Sequence, residues 1–416
     1  MFAEFTVENF RSFKERRTFS LVATNDKELL ESNTFEAPKN QRFLKSAIIC
    51  GANASGKSNF FDALVFFLDF SVYSASRKQA GDPTYAEPFI LSKQTESAPS
   101  SFEIIFFVNN EHGETRYRYS FTVDQKQVFE ENLYVLYNKR EVMLFSRKFQ
   151  EITCSPRFKE GARSKPFVRN NCTFLSVCAQ NNGTISKEII AYFRSITVLY
   201  GSSESYKKIF FDYTAKKENK AAILSFLKYA DIQIIGIETE LIPPSVDLSD
   251  DAISTAVKNM RLEKVSFGHT VYDEETPVGE EYIDEEDESA GTQQLYFYSE
   301  FILWVLKKGT ALFIDEFDIM LHPLIIEHIV KLFNSPETNP KNAQLVISSH
   351  AVNIITNKLF RRDQIWFCEK DQYGATDLYS LAEFKVRNDA TYSKDYLRGK
   401  YGAVPHIGKF SPADFE

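Results

Sequence analysis

An α/β fold with a mixed core sheet, an antiparallel β-subdomain and a helical lobe is predicted by three observations. A short apolar run at 46–50 (SAIIC) leads into a glycine-rich turn and then the apolar-rich NFFDALVFFLDF, which reads as strand, loop and helix. Two further apolar runs, within TALFIDEFD and AQLVISSH, read as buried strands that end in carboxylates and in a histidine. Between Ser101 and Arg147, SFEIIFFV, TRYRYSFTV and NLYVLYNKREVMLFSR are rich in Phe, Tyr and Val. They read as antiparallel strands with turns near His112-Gly113 and Asn138-Lys139.

Taken along the chain, Phe2 to Phe19 alternates apolar and polar residues as two strands do. Residues 147–169 hold seven Lys or Arg, two Glu and two Pro with little periodicity, and read as a loop. Its net charge of +5, with Phe149, Phe158 and Phe167 interleaved, suits nucleic acid, an acidic partner or plain solvent. From Ser186 to Tyr229 the pattern is helical (KEIIAYFRSI, AAILSFLKYA), followed by a strand at IQIIGIETELI. Residues 273–288 contain ten carboxylates and no Lys or Arg, the mark of a solvated segment. A helix from about Gln293 to Leu306 and a strand at IWFCEK complete the reading. The division that follows is 1–147, a lobe with the glycine loop and antiparallel sheet; 148–292, a helical lobe; and 293–416, the rest of the core.

A chain of 416 residues suggests two or three folded units, and 43% hydrophobic with 25% charged residues excludes disordered and fibrous classes. No run approaches the ~20 apolar residues of a membrane helix, and the N-terminus lacks a signal peptide's charged-then-apolar pattern. The five cysteines are scattered without a Cys-x-x-Cys pair, so a reducing cytoplasm is expected. Net charge is −8, but outside 273–288 the chain carries +2, so the acidic balance is local. Neither sustained heptads nor a repeat of 20–50 residues is present.

The strongest motif is Gly51-Ala52-Asn53-Ala54-Ser55-Gly56-Lys57-Ser58, a match to G-x4-G-K-[ST]. Glycines let the backbone wrap phosphates with amides pointing inward, and the following helix presents its positive end. Lys57 would reach the β- and γ-phosphates of ATP, and Ser58 would bind Mg²⁺. In ALFIDE, a buried strand delivers Asp315 and Glu316 to its carboxyl end, where ligands of open α/β sheets bind. Asp315 suits Mg²⁺, and Glu316 suits polarising an attacking water. Val346-Ile347-Ser348-Ser349-His350 repeats the geometry, and His350 could donate a hydrogen bond to the γ-phosphate. Ser289-Ala290-Gly291-Thr292 opens a helix, either as an ordinary cap or as a second anion-binding end.

This set, GANASGKSN, SAGTQQ, LFIDEFDIMLHP and VISSH in that order after FTVENFRSFKE, resembles the ABC-type ATPase heads of the SMC, RecF and OLD families. The resemblance implies ATP and Mg²⁺ as ligands. It makes Gly51, Asn53, Ser55, Gly56, Lys57, Ser58 and Asn59 the Walker A residues, with Asp315 as Walker B and Glu316 as catalytic base. Asp318 becomes the D-loop aspartate, His350 the switch histidine, and Ser289 and Gly291 the signature that meets the γ-phosphate of a second copy. Ala290 departs from the family's glycine, and the Q-loop glutamine has only Gln180 as a candidate. The implied assembly is a homodimer or higher oligomer with ATP sandwiched head to tail. Together with LHP and FLKYADIQIIGIE, the segment Lys400-Tyr401-Gly402-Ala403-Val404-Pro405 is similar to the AAA ATPases of bacterial phage-defence loci, of RloA and AbiL type. Several of those resemble one half of a two-gene system with a TOPRIM-type nuclease. Only 66 residues follow His350, so such a nuclease is expected as a separate chain.

Overall fold

A computed structural model describes residues 1–37, 41–110, 113–137, 140–201, 217–242, 262–387, 390–405 and 408. Its centre is a six-stranded sheet: Ser46–Cys50 (β5), Thr197–Tyr200 (β11), Ala311–Asp315 (β15), Gln344–Ser348 (β16), Ile365–Lys370 (β17) and Thr376–Ser380 (β18). The order is β11-β15-β16-β5-β17-β18; the first five run parallel and β18 pairs antiparallel with β17. Every residue of β5, β15 and β16 is buried, which explains their unbroken apolar runs. Period-two alternation sends Ala47, Ile49 and Phe313 to one core and Ile48, Leu312 and Ile347 to the other.

A second sheet has seven antiparallel strands: Phe2–Glu8 (β1), Arg17–Ser20 (β2), Ser100–Asn110 (β6), Gly113–Val123 (β7), Val128–Tyr137 (β8), Arg140–Lys148 (β9) and Glu151–Cys154 (β10). The hairpins expected near 112 and 138 are present, with Asn110 paired to Gly113 and Tyr137 to Arg140; His112, Asn138 and Lys139 themselves lie outside the described residues. Helix Lys57–Arg77 (α1) lies between the two sheets. Phe61 meets Phe313 of the core sheet edge-on at 6.5 Å, while Phe67 stacks on Phe121 of the antiparallel sheet at 5.3 Å. A helix buried on two sides needs large apolar residues all round, and this accounts for much of the phenylalanine in the chain.

Helices Ala290–Lys308 and Pro323–Asn334 contribute to the other core, beneath a three-stranded antiparallel sheet of Gly236–Ile242 (β12), Leu262–Asp273 (β13) and Thr276–Asp284 (β14). Phe267 of β13 meets Tyr296 at 4.9 Å. Helices Thr184–Ser195 and Lys217–Tyr229 match the expected helical stretch.

Several expectations need correction. The stretch 147–169 is not a plain loop: it holds the end of β9, all of β10 and a short helix at Gly161–Ser164. Arg147 is fully buried, paired with buried Glu131 at 3.4 Å and donating to the carbonyls of Phe149, Arg169 and Cys172. Arg169 caps the carbonyls of Ala75 and Lys78, and Phe158 is buried. These residues bind the protein's own backbone and core. The acidic run is solvated as expected, yet it has regular structure: the turn and outer strand of the β13–β14 hairpin, paired through the backbone to β13, and a 3-10 turn at Glu285–Asp287. The strand at IQIIGIETELI begins only at Gly236, and the helix expected from Gln293 begins at Ala290. β11 and β18 had no clear signal in the sequence.

Candidate functional site

Because β15, β16 and β5 are adjacent and parallel, Glu316, Ser349 and Gly51 leave the sheet at the same carboxyl-terminal edge. The loop from Gly51 to Gly56 follows β5, and α1 begins at Lys57. Gly56 has φ 107°, and a side chain there would collide with Thr376 and Ser12; one at Gly51 would strike the Cys368 carbonyl. Only glycine fits at either end of this turn. Lys57 is buried, and its ammonium donates to the carbonyls of Gly51 at 2.9 Å and Ala52 at 3.1 Å. Burial lowers its pKa. Asn53 is exposed at the tip, Ser55 is buried, and Asn59 donates to the Ser12 hydroxyl at 2.6 Å.

The carboxylates are stitched to the histidine segment. The Ser348 hydroxyl donates to buried Asp315 and accepts the Glu316 amide at 2.7 Å; the Phe317 amide donates to the Ser348 carbonyl at 3.0 Å. Glu316 has φ 53°, a left-handed turn immediately after the strand that is uncommon for such a residue. Gly201, at the end of β11, donates to the Asp315 carbonyl at 2.9 Å, and a side chain there would strike the Glu316 carbonyl. Asp318 accepts the His350 amide at 2.9 Å. Burial first, and then the charge of Lys57, push the His350 pKa below its ordinary 6.5, so the imidazole is neutral at pH 7.

Cys50 lies beneath the loop as a packed residue; burial pushes its thiol pKa up and that of Cys368 to about 12, so neither is a reactive thiolate. Ser55 Oγ, within the loop, is buried without a hydrogen-bond partner among the described residues, and a phosphate oxygen would satisfy it. Among the described residues no three His, Cys, Asp or Glu side chains are placed to hold a metal ion by themselves. A Mg²⁺ held by Ser58, Asp315, phosphate oxygens and water needs none. The loop and its donors therefore fit a magnesium nucleotide.

Ser289 is exposed and caps helix Ala290–Lys308, accepting the Thr292 amide at 3.2 Å; Gly291 packs beside the Met320 carbonyl. Among the described residues neither bonds to the glycine loop of its own chain. Gln180 ends helix Phe174–Gln180 and lines a different cavity, with Val72 and Arg194.

The sequence reading missed the groups that brace the loop. Thr376 donates to the Ser55 carbonyl at 2.9 Å and sits 2.8 Å from the Ser12 hydroxyl. On α1, Asp62 is held by Arg11 and by the Tyr200 hydroxyl at 2.6 Å. Burial and nearby Asp315 raise the Asp62 pKa against these partners. No spacing rule points to residues that arrive from so far along the chain.

A protein-family model described as "AAA domain, putative AbiEii toxin, Type IV TA system" matches residues 46–356. The chain belongs to this AAA ATPase family. That match spans all the strands that carry the loop, the carboxylates and the histidine. A search of curated proteins finds no match. Among solved structures, the SMC head domain from Thermotoga maritima is similar at 13% identity, with 91% of this chain and 98% of that one covered and a TM-score of 0.43. An SMC head bound to the C-terminal winged-helix domain of ScpA shows 15% identity, coverage of 91% and 97%, and a TM-score of 0.46. The cbiO1 component of the cbiONQ ABC transporter complex from Clostridium perfringens shows 9% identity, coverage of 90% and 92%, and a TM-score of 0.29. The family and the chain's own layers describe an α/β P-loop fold of the AAA family. Among the described residues no helix is long and apolar enough to cross a membrane.

Proposed function

We propose that the chain binds and hydrolyses ATP with Mg²⁺ and converts that cycle into assembly of two copies. The observation that supports this best is the meeting of the Lys57 loop, Asp315, Glu316 and His350 at one edge of one sheet. Lys57 and the loop amides hold the β- and γ-phosphates. Ser58 and Asp315 hold Mg²⁺, which supplies neutralisation of the phosphate charge. The Glu316 carboxylate orients a water against the γ-phosphorus and takes its proton. Neutral His350 donates a hydrogen bond to a γ-phosphate oxygen, and Asp318 holds its backbone in place. Ser289, exposed at the head of its helix, and Gly291 beside it serve the site of a facing copy in a head-to-tail sandwich. Hydrolysis removes the shared γ-phosphate and opens the pair.

The biological reading is a regulator in a bacterial anti-phage system of RloA or AbiL type, holding a separate TOPRIM-type nuclease in check. The family's description as a toxin of a Type IV TA system supports a paired system. A DNA-binding role through 147–169 would rest on the exposed Lys148, Arg157, Lys159 and Arg163, since Arg147 and Arg169 spend their donors on the protein's own carbonyls. The test is calorimetric titration with Mg-ATP. Wild type and Glu316→Gln should bind, Lys57→Ala should not, and only wild type should release phosphate. Equal binding by Lys57→Ala, or full turnover by Glu316→Gln, contradicts the assignment.

A further inference from the structure

The stretch at 392–405 wraps the outer side of the glycine loop. Helix Tyr392–Leu397 leads into a turn whose residues Gly402 and Ala403 have φ of 71° and 57°. A side chain at Gly402 would stand 2.6 Å from the Tyr379 hydroxyl and 2.7 Å from Glu369, so the turn is fixed against β17 and β18. The Tyr379 hydroxyl donates to the Tyr401 carbonyl at 2.8 Å. This conformation aims one atom, the buried Ala403 carbonyl oxygen, at the loop. It accepts the Ala52 amide at 3.0 Å and the Tyr396 hydroxyl at 2.9 Å. The Tyr396 ring in turn stacks on Phe367 at 5.3 Å.

The Ala52 N–H and the Gly51 C=O belong to one planar peptide group. Its carbonyl end is gripped by Lys57 and its amide end by Ala403. The strap and the lysine therefore hold the same plane from opposite ends. If Lys57 turns its ammonium to a phosphate, the Ala403 bond is what keeps that plane from rotating. A rotated plane would misdirect the amides that follow it in the loop. A cavity of about 640 Å³ separates the remainder of the strap from the loop, lined by Asn53, His350, Lys370, Leu397 and Val404, so the contact is a single point and not a packed wall.

We propose that residues 392–405 set the phosphate-binding geometry of the glycine loop, with Tyr396 as the positioning residue acting through the Ala403 carbonyl. The consequence for nucleotide rests on the loop being the ATP site; the mechanical link does not. Tyr396→Phe keeps the ring on Phe367 and removes only the donor. In nucleotide-free full-length protein, hydrogen exchange of peptides covering 51–56 should quicken about two- to ten-fold, the range of one hydrogen bond. Protection of β15 and β16, and the melting temperature, should stay near wild type. Mg-ATP affinity should fall by a similar factor with KM rising and kcat changing less than twofold. Gly402→Ala, which pushes the strap off Tyr379, should reproduce both effects. Unchanged loop exchange in both variants, or faster exchange spread evenly over the core sheet, overturns the proposal. Faster loop exchange with unchanged KM overturns its consequence for nucleotide. If wild type binds no nucleotide, the ATP reading fails while the exchange result still decides the strap's role.

Discussion

Ser348 shows how a small side chain organises two large charges. Its hydroxyl donates to Asp315 and accepts the Glu316 amide, so both carboxylates depend on one oxygen. Ser348→Ala should cost about 1–3 kcal/mol in stability by leaving the buried groups unpaired, readable from denaturant unfolding. Turnover should fall at least as far as that destabilisation implies. Arg147 makes a second prediction at this scale. Fully buried and paired with buried Glu131, its replacement by Met leaves that carboxylate with the Tyr119 hydroxyl and the Phe174 and Leu175 amides but no countercharge, and should destabilise the fold by about 3–5 kcal/mol in urea. His350 makes a third. Its folded pKa lies below 6.5, so the stability it contributes is present above 6.5 and is lost as pH falls through the folded value. Turnover should drop over that same acid range as the imidazole charges, and His350→Asn should show a lower rate without that inflection.

At the level of elements, the glycine loop was legible because its chemistry is local: β5, the turn and α1 are continuous in sequence, and Lys57 bonds to carbonyls only five and six residues away. Its braces were not. Ser12, Thr376 and Ala403 come from three distant segments; FTVENFRSFKE and KYGAVP carry a resemblance in the sequence, but neither shows that its Ser12 or Ala403 touches the loop. β11 is four residues long, too short for a period to show, though it sits beside the strand of Asp315. The charge of 147–169 is surface charge at Lys148, Arg157, Lys159 and Arg163, which are exposed; Arg147 is the exception, because its burial is decided by Glu131 across the sheet. Helix α1 carries the clearest energetic prediction. Phe67 is buried against Tyr119, Phe121 and Phe193, so Phe67→Ala should cost about 3–5 kcal/mol and lower the unfolding midpoint without altering which nucleotide binds.

Across the whole molecule, the core sheet draws strands from near both ends of the chain and from its middle, so the site is complete only when distant segments have met. A buried lysine loop, paired carboxylates and a neutral histidine share one edge, while Ser289 caps its own helix through the Thr292 amide. The proposed two-copy nucleotide site would bring the Ser289 end of a second chain to that edge. Ser289→Arg should therefore leave Mg-ATP binding by single chains intact while abolishing nucleotide-dependent pairing, as seen by sedimentation. The most direct test of the account is the solution mass of Glu316→Gln by light scattering, with and without Mg-ATP. The account predicts one chain of 47.9 kDa without nucleotide and about twice that mass with it. A mass that stays at one chain while each chain holds bound Mg-ATP would contradict it.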